Sequence, residues 1–179
     1  MADASARRTK SADLATAHHE AGHAVAAWQR KGLKAVRDIS IEPRENYAGF
    51  SRSESLLKRR DPELDSTGAT RDRLEDQIIV CLSGKVAQQR FNRHSVRDYH
   101  SRSDRQGAIL LAGYVGGEGQ LLEAYLRWMN LRTEAFVSWF WPAVADLAET
   151  LVDRRRMTGK ELQQWFHDWD FRKLRRKAT

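Results

Sequence analysis

The stretch ATAHHEAGHAVAA, residues 15–27, decides how this chain is read. His19 and His23 stand four positions apart and Glu20 follows the first, so residues 19–23 fit the H-E-x-x-H pattern. On a helix, positions i and i+4 share one side about a turn apart, so both imidazoles can address a single ion. Zn–N bonds of about 2.0–2.1 Å suit such a pair with little backbone strain. Glu20 is offset around the helix axis, which puts its carboxylate beside a metal-bound water instead of on the metal. Zinc lowers the pKa of its water from 15.7 to about 7, and a neighbouring carboxylate takes the proton during attack on a carbonyl. The pattern therefore points to metal-assisted hydrolysis of peptide bonds.

Glycine inside a helix costs roughly 1 kcal/mol against alanine. Gly22 is thus expected to make room for a second segment, a metal ligand or a substrate. A catalytic zinc also needs a third protein ligand and an open position. His94, Asp98, His100 and Asp104 all lie near a helix start expected at about 103, and spacing alone does not choose among them.

Working outward, a first helix is expected from Asp13 to Lys31, with Ser11 or Asp13 as N-cap and Gly32 as C-cap. Leu14, Ala17, Ala21, Ala24, Val25 and Trp28 would form its buried face. Val36, Ile39 and Ile41 suggest a strand that Pro43 ends, and YAGFSRS at 47–53 returns beside it; residues 54–68 read as a loop. Helices follow over 70–91, with Leu74, Ile78, Cys81, Leu82 and Val86 inward, and from 103, with Ile109, Leu111, Ala112 and Val115 inward. After GGEG at 116–119 a long helix is expected to about 140, with a restart at Pro142. Thr158 and Glu161 have capping-box spacing and open a short last helix through Trp165 and Trp169. The expected fold is mainly α with a small β-hairpin near residues 35–53.

The 179 residues, 41% of them hydrophobic, suffice for one domain, placed at 13–170 between a flexible basic N-terminus, 1–12, and a basic tail, 171–179. A single cysteine, Cys81, excludes an intramolecular disulfide and a Cys-based zinc cluster; in its apolar run it reads as a buried, inert thiol. No stretch reaches the ~18 apolar residues that span a bilayer, and the first residues lack an apolar signal core, so a cytoplasmic protein without membrane contact is expected. The net charge of +7 is concentrated in Arg7, Arg8 and Lys10, in Arg154 to Arg156 and in residues 171–177. Such ends read as solvated, and no RNA-binding motif, zinc-finger spacing or helix-turn-helix accompanies them.

Beyond the first motif, HHEAGHAVAAW followed by ISIEPRENYAGFS resembles the peptidase domain of the FtsH (M41-type) family of zinc metalloproteases, with its HEAGHA and following strand. LEDQIIVCLSGKVAQQRF at 74–91 is similar to the family's Asp-x-Ile…Leu-Gly-Gly-Arg-x-Ala-Glu-Glu helix, SRSDRQGAILLAGYV at 101–115 to its Ser-x-Asp segment, and MTGKELQQWF to its final Leu-x-Gly-x-Glu-Ile element. The resemblance implies one Zn2+ per chain held by His19, His23 and Asp104, with Glu20 as the catalytic glutamate. It implies that Tyr47, Ala48, Gly49, Phe50 and Ser51 belong to an edge strand along which a substrate peptide pairs. Glu45 stands where the family has a turn glycine, and Gln88 and Gln89 replace its paired glutamates, removing a carboxylate that could support the site. Asp76 is retained and is a candidate to orient a ligand histidine.

The 179 residues contain neither the family's G-x-x-x-x-G-K-[ST] nucleotide motif nor its membrane anchor. The leading expectation is accordingly an ATP-independent zinc endopeptidase for unfolded or flexible polypeptides, or one served by a separate ATPase or regulator. His100 is weighed as an oxyanion partner, with a solvated loop histidine favoured. The alternative is a non-catalytic module that binds a peptide or partner chain along the YAGFS edge. Nucleic-acid binding through the basic ends is a third, weaker reading. The oligomeric state is not set by the sequence.

Overall fold

A computed structural model describes residues 9–43, 49–53, 67–96 and 102–177. Helix α1, Lys10–Lys31, leads into strands β1, Val36–Ser40, and β2, Phe50–Ser53. Helices α2, Gly68–Phe91, α3, Arg102–Gly116, α4, Gly119–Trp139, and α5, Trp141–Arg154, follow; strand β3, Arg156–Met157, and helix α6, Gly159–Lys177, complete the described chain. The fold is mainly α with one small antiparallel sheet, as the hydrophobic periods predict.

Helix α1 is the axis of the molecule and packs on α2, α5 and the sheet. Its expected inner face is buried from Ala17 through Trp28, but burial also takes in Thr16, His18, His19, Glu20, Ala26 and Ala27. A helix wrapped on nearly all sides needs small residues, and five alanines between positions 17 and 27 supply them. Leu14, expected inside, is only half-buried. The N-cap is Thr9, whose hydroxyl accepts from the Ala12 amide at 3.2 Å; Asp13 instead pairs with Arg155, while Gly32 caps the C-terminus with φ 80°.

The sheet order is β2-β1-β3, so β1 is central and β2 lies at an edge. Ile39 pairs with Ser51, and Ser40 with Phe50, which confirms the expected return strand. The third strand was not legible: a two-residue strand has no period of its own, and Met157 opposite Ile39 is set by where α5 ends. Pro142 restarts the chain as α5. The capping box at Thr158 forms, with Glu161 Oε2 accepting from the Thr158 amide at 2.8 Å. Helix α6 runs on to Lys177, beyond the short helix expected, and stacks Phe166 on Trp28 at 4.4 Å between ring centres.

Helix α3 departs from its expected face at Ile109, which is 37% exposed, while Ala112 is buried as expected, together with Ala108. The row 104, 108, 112 is the one turned to α2, so α3 approaches through alanines and carries Asp104 inward at its first turn. Helix α4 is tied to α2 by Glu75, which accepts hydrogen bonds from Tyr125 Oη at 3.1 Å and from Arg132 and Arg71. Burial acts to raise the Glu75 pKa, but these partners outweigh it and hold it below 4.5. A depressed carboxylate contributes stability that is complete above the ordinary value and lost as pH falls through the folded-state value. Glu75→Gln should therefore lower stability by roughly 1–2 kcal/mol near neutrality, and the gap from wild type should close in acid. Urea unfolding at about pH 7 and about pH 3 checks the sign.

Candidate metal centre

Two helices bring three ligand atoms, two from α1 and one from α3, to a single point. From α1, His19 Nε2 and His23 Nε2 lie 3.2 Å apart; from the first turn of α3, Asp104 Oδ2 lies 3.3 Å from each. All three ligand atoms fall within 4.8 Å of one another. Among the described residues this is the one such cluster of His, Cys, Asp and Glu.

The opposite ring nitrogens are committed elsewhere. His23 Nδ1 donates to the Val80 carbonyl at 2.7 Å, and His19 Nδ1 donates to Gln88 Oε1 at 3.1 Å. The Gln88 amide is oriented by Ser95, whose carbonyl accepts from Gln88 Nε2 at 3.0 Å and so turns Oε1 toward the histidine. With both Nδ1 atoms carrying hydrogen, two Nε2 lone pairs and a carboxylate oxygen face one another with no donor between them. Such an arrangement is repulsive unless a cation stands among the three atoms. In the absence of metal a proton serves: burial alone lowers the His23 pKa, but the Asp104 charge and hydrogen bond, with Glu20, raise it to about 9. Burial acts to raise the Asp104 pKa, yet the two histidines hold it well below the usual carboxylate range. Two imidazoles, one carboxylate and an open side make a donor set suited to a borderline divalent cation.

Glu20 is 6% exposed and lies beside the cluster, where burial raises its pKa against the opposing charges of the two histidines. Gly49, just before β2, passes so close that a Cβ there would stand 3.0 Å from Glu20 Oε1 and 2.8 Å from the Ser40 carbonyl. The strand thus closes one side of Glu20. Ser51 lines a cleft of about 470 Å³ together with His23, Arg52 and Asp104. Phe50 is half-exposed, with the Arg52 guanidinium 5.2 Å over its ring. Tyr47, Ala48, Asp98 and His100 lie outside the described residues, and His94 is exposed on a 3-10 turn.

Asp76 sits elsewhere: it pairs with Arg30 at 3.1 Å, and the positions it was expected to fill beside the histidines belong to Gln88 and the Val80 carbonyl. Gln88 is 4% exposed, whereas Gln89 faces solvent. The replacement of a carboxylate at position 88 therefore leaves an orienting acceptor in place, an outcome the sequence reading missed. A signal was present: Val80, Gly84 and Gln88 recur every four residues, one row of α2, and that row meets His19 and His23. Gln88→Ala should weaken divalent-metal binding by roughly 10- to 100-fold while Gln88→Glu retains it, as measured by competition with a chromophoric chelator.

This geometry coincides with the segment recognised by comparison. The model of Peptidase family M41 matches residues 7–96. The ATP-dependent zinc metalloprotease FtsH of Thermus thermophilus is 39% identical over 74 residues, 41% of this chain and 11% of that protein. Its namesake from Rickettsia conorii is 33% identical over 98 residues, 54% of this chain and 14% of its own length. The mitochondrial inner membrane i-AAA protease supercomplex subunit YME1 of Saccharomyces cerevisiae is 32% identical over 81 residues, 45% of this chain and 10% of its own. These matches cover about a tenth of the relatives, and among the described residues no helix is long and apolar enough to cross a membrane. With half the sequence under the family model and a ligand cluster built from α1, which lies inside the matched segment, and Asp104 beyond it, the chain belongs to peptidase family M41.

Proposed function

We propose that this domain is a zinc endopeptidase acting on unfolded or flexible polypeptide. The reading rests on one observation: three ligand atoms converge with their supporting hydrogen bonds made, and a buried carboxylate stands beside them. His19, His23 and Asp104 would hold one zinc per chain. Zinc supplies Lewis acidity and an acidified water there. Glu20, its pKa raised by burial, takes a proton from the attacking water and passes it to the leaving amine nitrogen. The substrate chain pairs along β2, where Ser51 and Arg52 border the cleft that reaches Asp104.

Hydrolysis of a peptide bond is downhill and draws nothing from ATP. Unfolding a stable substrate is the step that needs a motor, so flexible segments are the natural substrates of the domain and a separate ATPase or regulator would extend its range. Purified protein should carry about one zinc per chain by elemental analysis and cleave an unstructured protein such as casein. A chelator should stop cleavage and added zinc restore it. Stoichiometric zinc with no cleavage of any unstructured substrate would favour the alternative, a peptide-binding module.

A further inference from the structure

Next to the metal centre, on the side of Asp104 away from β2, a second cavity of about 500 Å³ opens between α2, α3 and α4. Leu82 and Ala108 are buried and, with half-buried Leu126, give it an apolar floor. Lys85, Arg105 and Arg127 also line it. None of these three cations has a hydrogen-bond or ion-pair partner among the described residues, although Glu123, the one carboxylate lining the cavity apart from Asp104, stands four positions before Arg127. Three uncompensated cations around a concave apolar wall concentrate a positive field there. Asp104 does not cancel it, since its charge is engaged by His19 and His23.

Resting on the peptidase reading, we propose that this cavity is a specificity subsite for a carboxylate-bearing residue beside the scissile bond, so that the domain selects acidic segments. A glutamate side chain matches the lining, with methylenes for the floor and a carboxylate for the guanidinium and ammonium groups. A peptide's terminal carboxylate carries the same chemistry. Nucleic acid is the poorer match: among the described residues neither this cavity nor the cleft beside β2 is lined by a Phe, Tyr or Trp ring on which a base could stack, and the His23 imidazole in the cleft faces the metal centre. Arg105, Arg127 and the α4 wall lie beyond residue 96, outside the part of the chain that the family model matches.

The test uses zinc-loaded protein carrying Glu20→Gln, and binding of fluorescent peptides by anisotropy. Peptides with Glu, Gln or Lys at successive central positions are compared, each as C-terminal acid and amide. The expected result is about tenfold tighter binding of a Glu peptide than of its Gln counterpart at low salt, lost in a Lys85→Gln/Arg127→Gln variant that keeps its zinc. A preference that follows only the free terminus would assign the subsite to a terminal carboxylate. Equal affinities, a preference that survives the double variant, or tighter binding of an oligonucleotide at the same site would overturn the proposal. The charge preference in the Glu20→Gln protein, with zinc-loaded wild type that cleaves no unstructured substrate, would sink the peptidase reading and leave the subsite standing; cleavage by wild type without the charge preference would do the reverse.

Discussion

Glu20→Gln is expected to reduce peptide hydrolysis by roughly 100- to 10,000-fold with zinc stoichiometry unchanged. The substitution keeps the shape of a side chain buried beneath Gly49 and removes only its capacity to take a proton. Zinc is retained because Glu20 is not one of the three converging ligands. The experiment pairs a turnover assay on an unstructured substrate with elemental analysis of the same sample. Residual activity near wild type would remove Glu20 from the chemistry, and loss of zinc would make it a structural support of the site.

Gly84→Ala should abolish the metal centre from outside the motif. A Cβ on Gly84 would stand 2.7 Å from both Cδ2 and Cε1 of His23. The ring has nowhere to retreat, since its Nδ1 is held by the Val80 carbonyl on the same face of α2. Nor can the helices separate cheaply: at Gly22 of α1 a Cβ would stand 2.5 Å from the Ser83 carbonyl, so α1 and α2 already meet backbone to backbone. Overpacking of this kind typically costs 1–3 kcal/mol, and here the displaced group is a ligand, so metal affinity should fall by more than the roughly 10- to 100-fold expected for Gln88→Ala. Gly113→Ala in α3 is the control, with nothing within 4 Å of the added methyl and an expected gain of up to about 1 kcal/mol in helix stability. Metal titration and thermal unfolding of both variants separate the two effects; a zinc-replete, stable Gly84→Ala protein would contradict the geometry.

These two glycines show how far the sequence could be read. Gly22 was suspect at once, because it interrupts a helix next to a candidate ligand. What approaches it, the Ser83 carbonyl of α2, depends on two helices that no local pattern relates. Asp104 was one candidate among several by spacing and was singled out only by family resemblance; the structure places it 3.3 Å from both histidines, since α3 packs through Ala108 and Ala112. On α3, Ala112 is buried as expected, but Ile109 was misread for the related reason that, although the more hydrophobic residue, it faces a cavity that α4 helps to wall.

The sequence by itself determined the helices, the β1–β2 pairing, the His19 and His23 pair and the carboxylate between them, because each depends on spacing along one element and on backbone caps within a few residues. Only the tertiary structure decided which side chains hold those histidines in place. Gln88 and the Val80 carbonyl do so from α2, Asp76 does not, and the cations that line the second cavity come together from α2, α3 and α4. The physical reason is that a hydrogen bond or a shared cavity between residues on different helices, far apart in the chain, depends on how helices cross. Crossing is set by packing volumes summed over whole faces, which local periodicity does not encode.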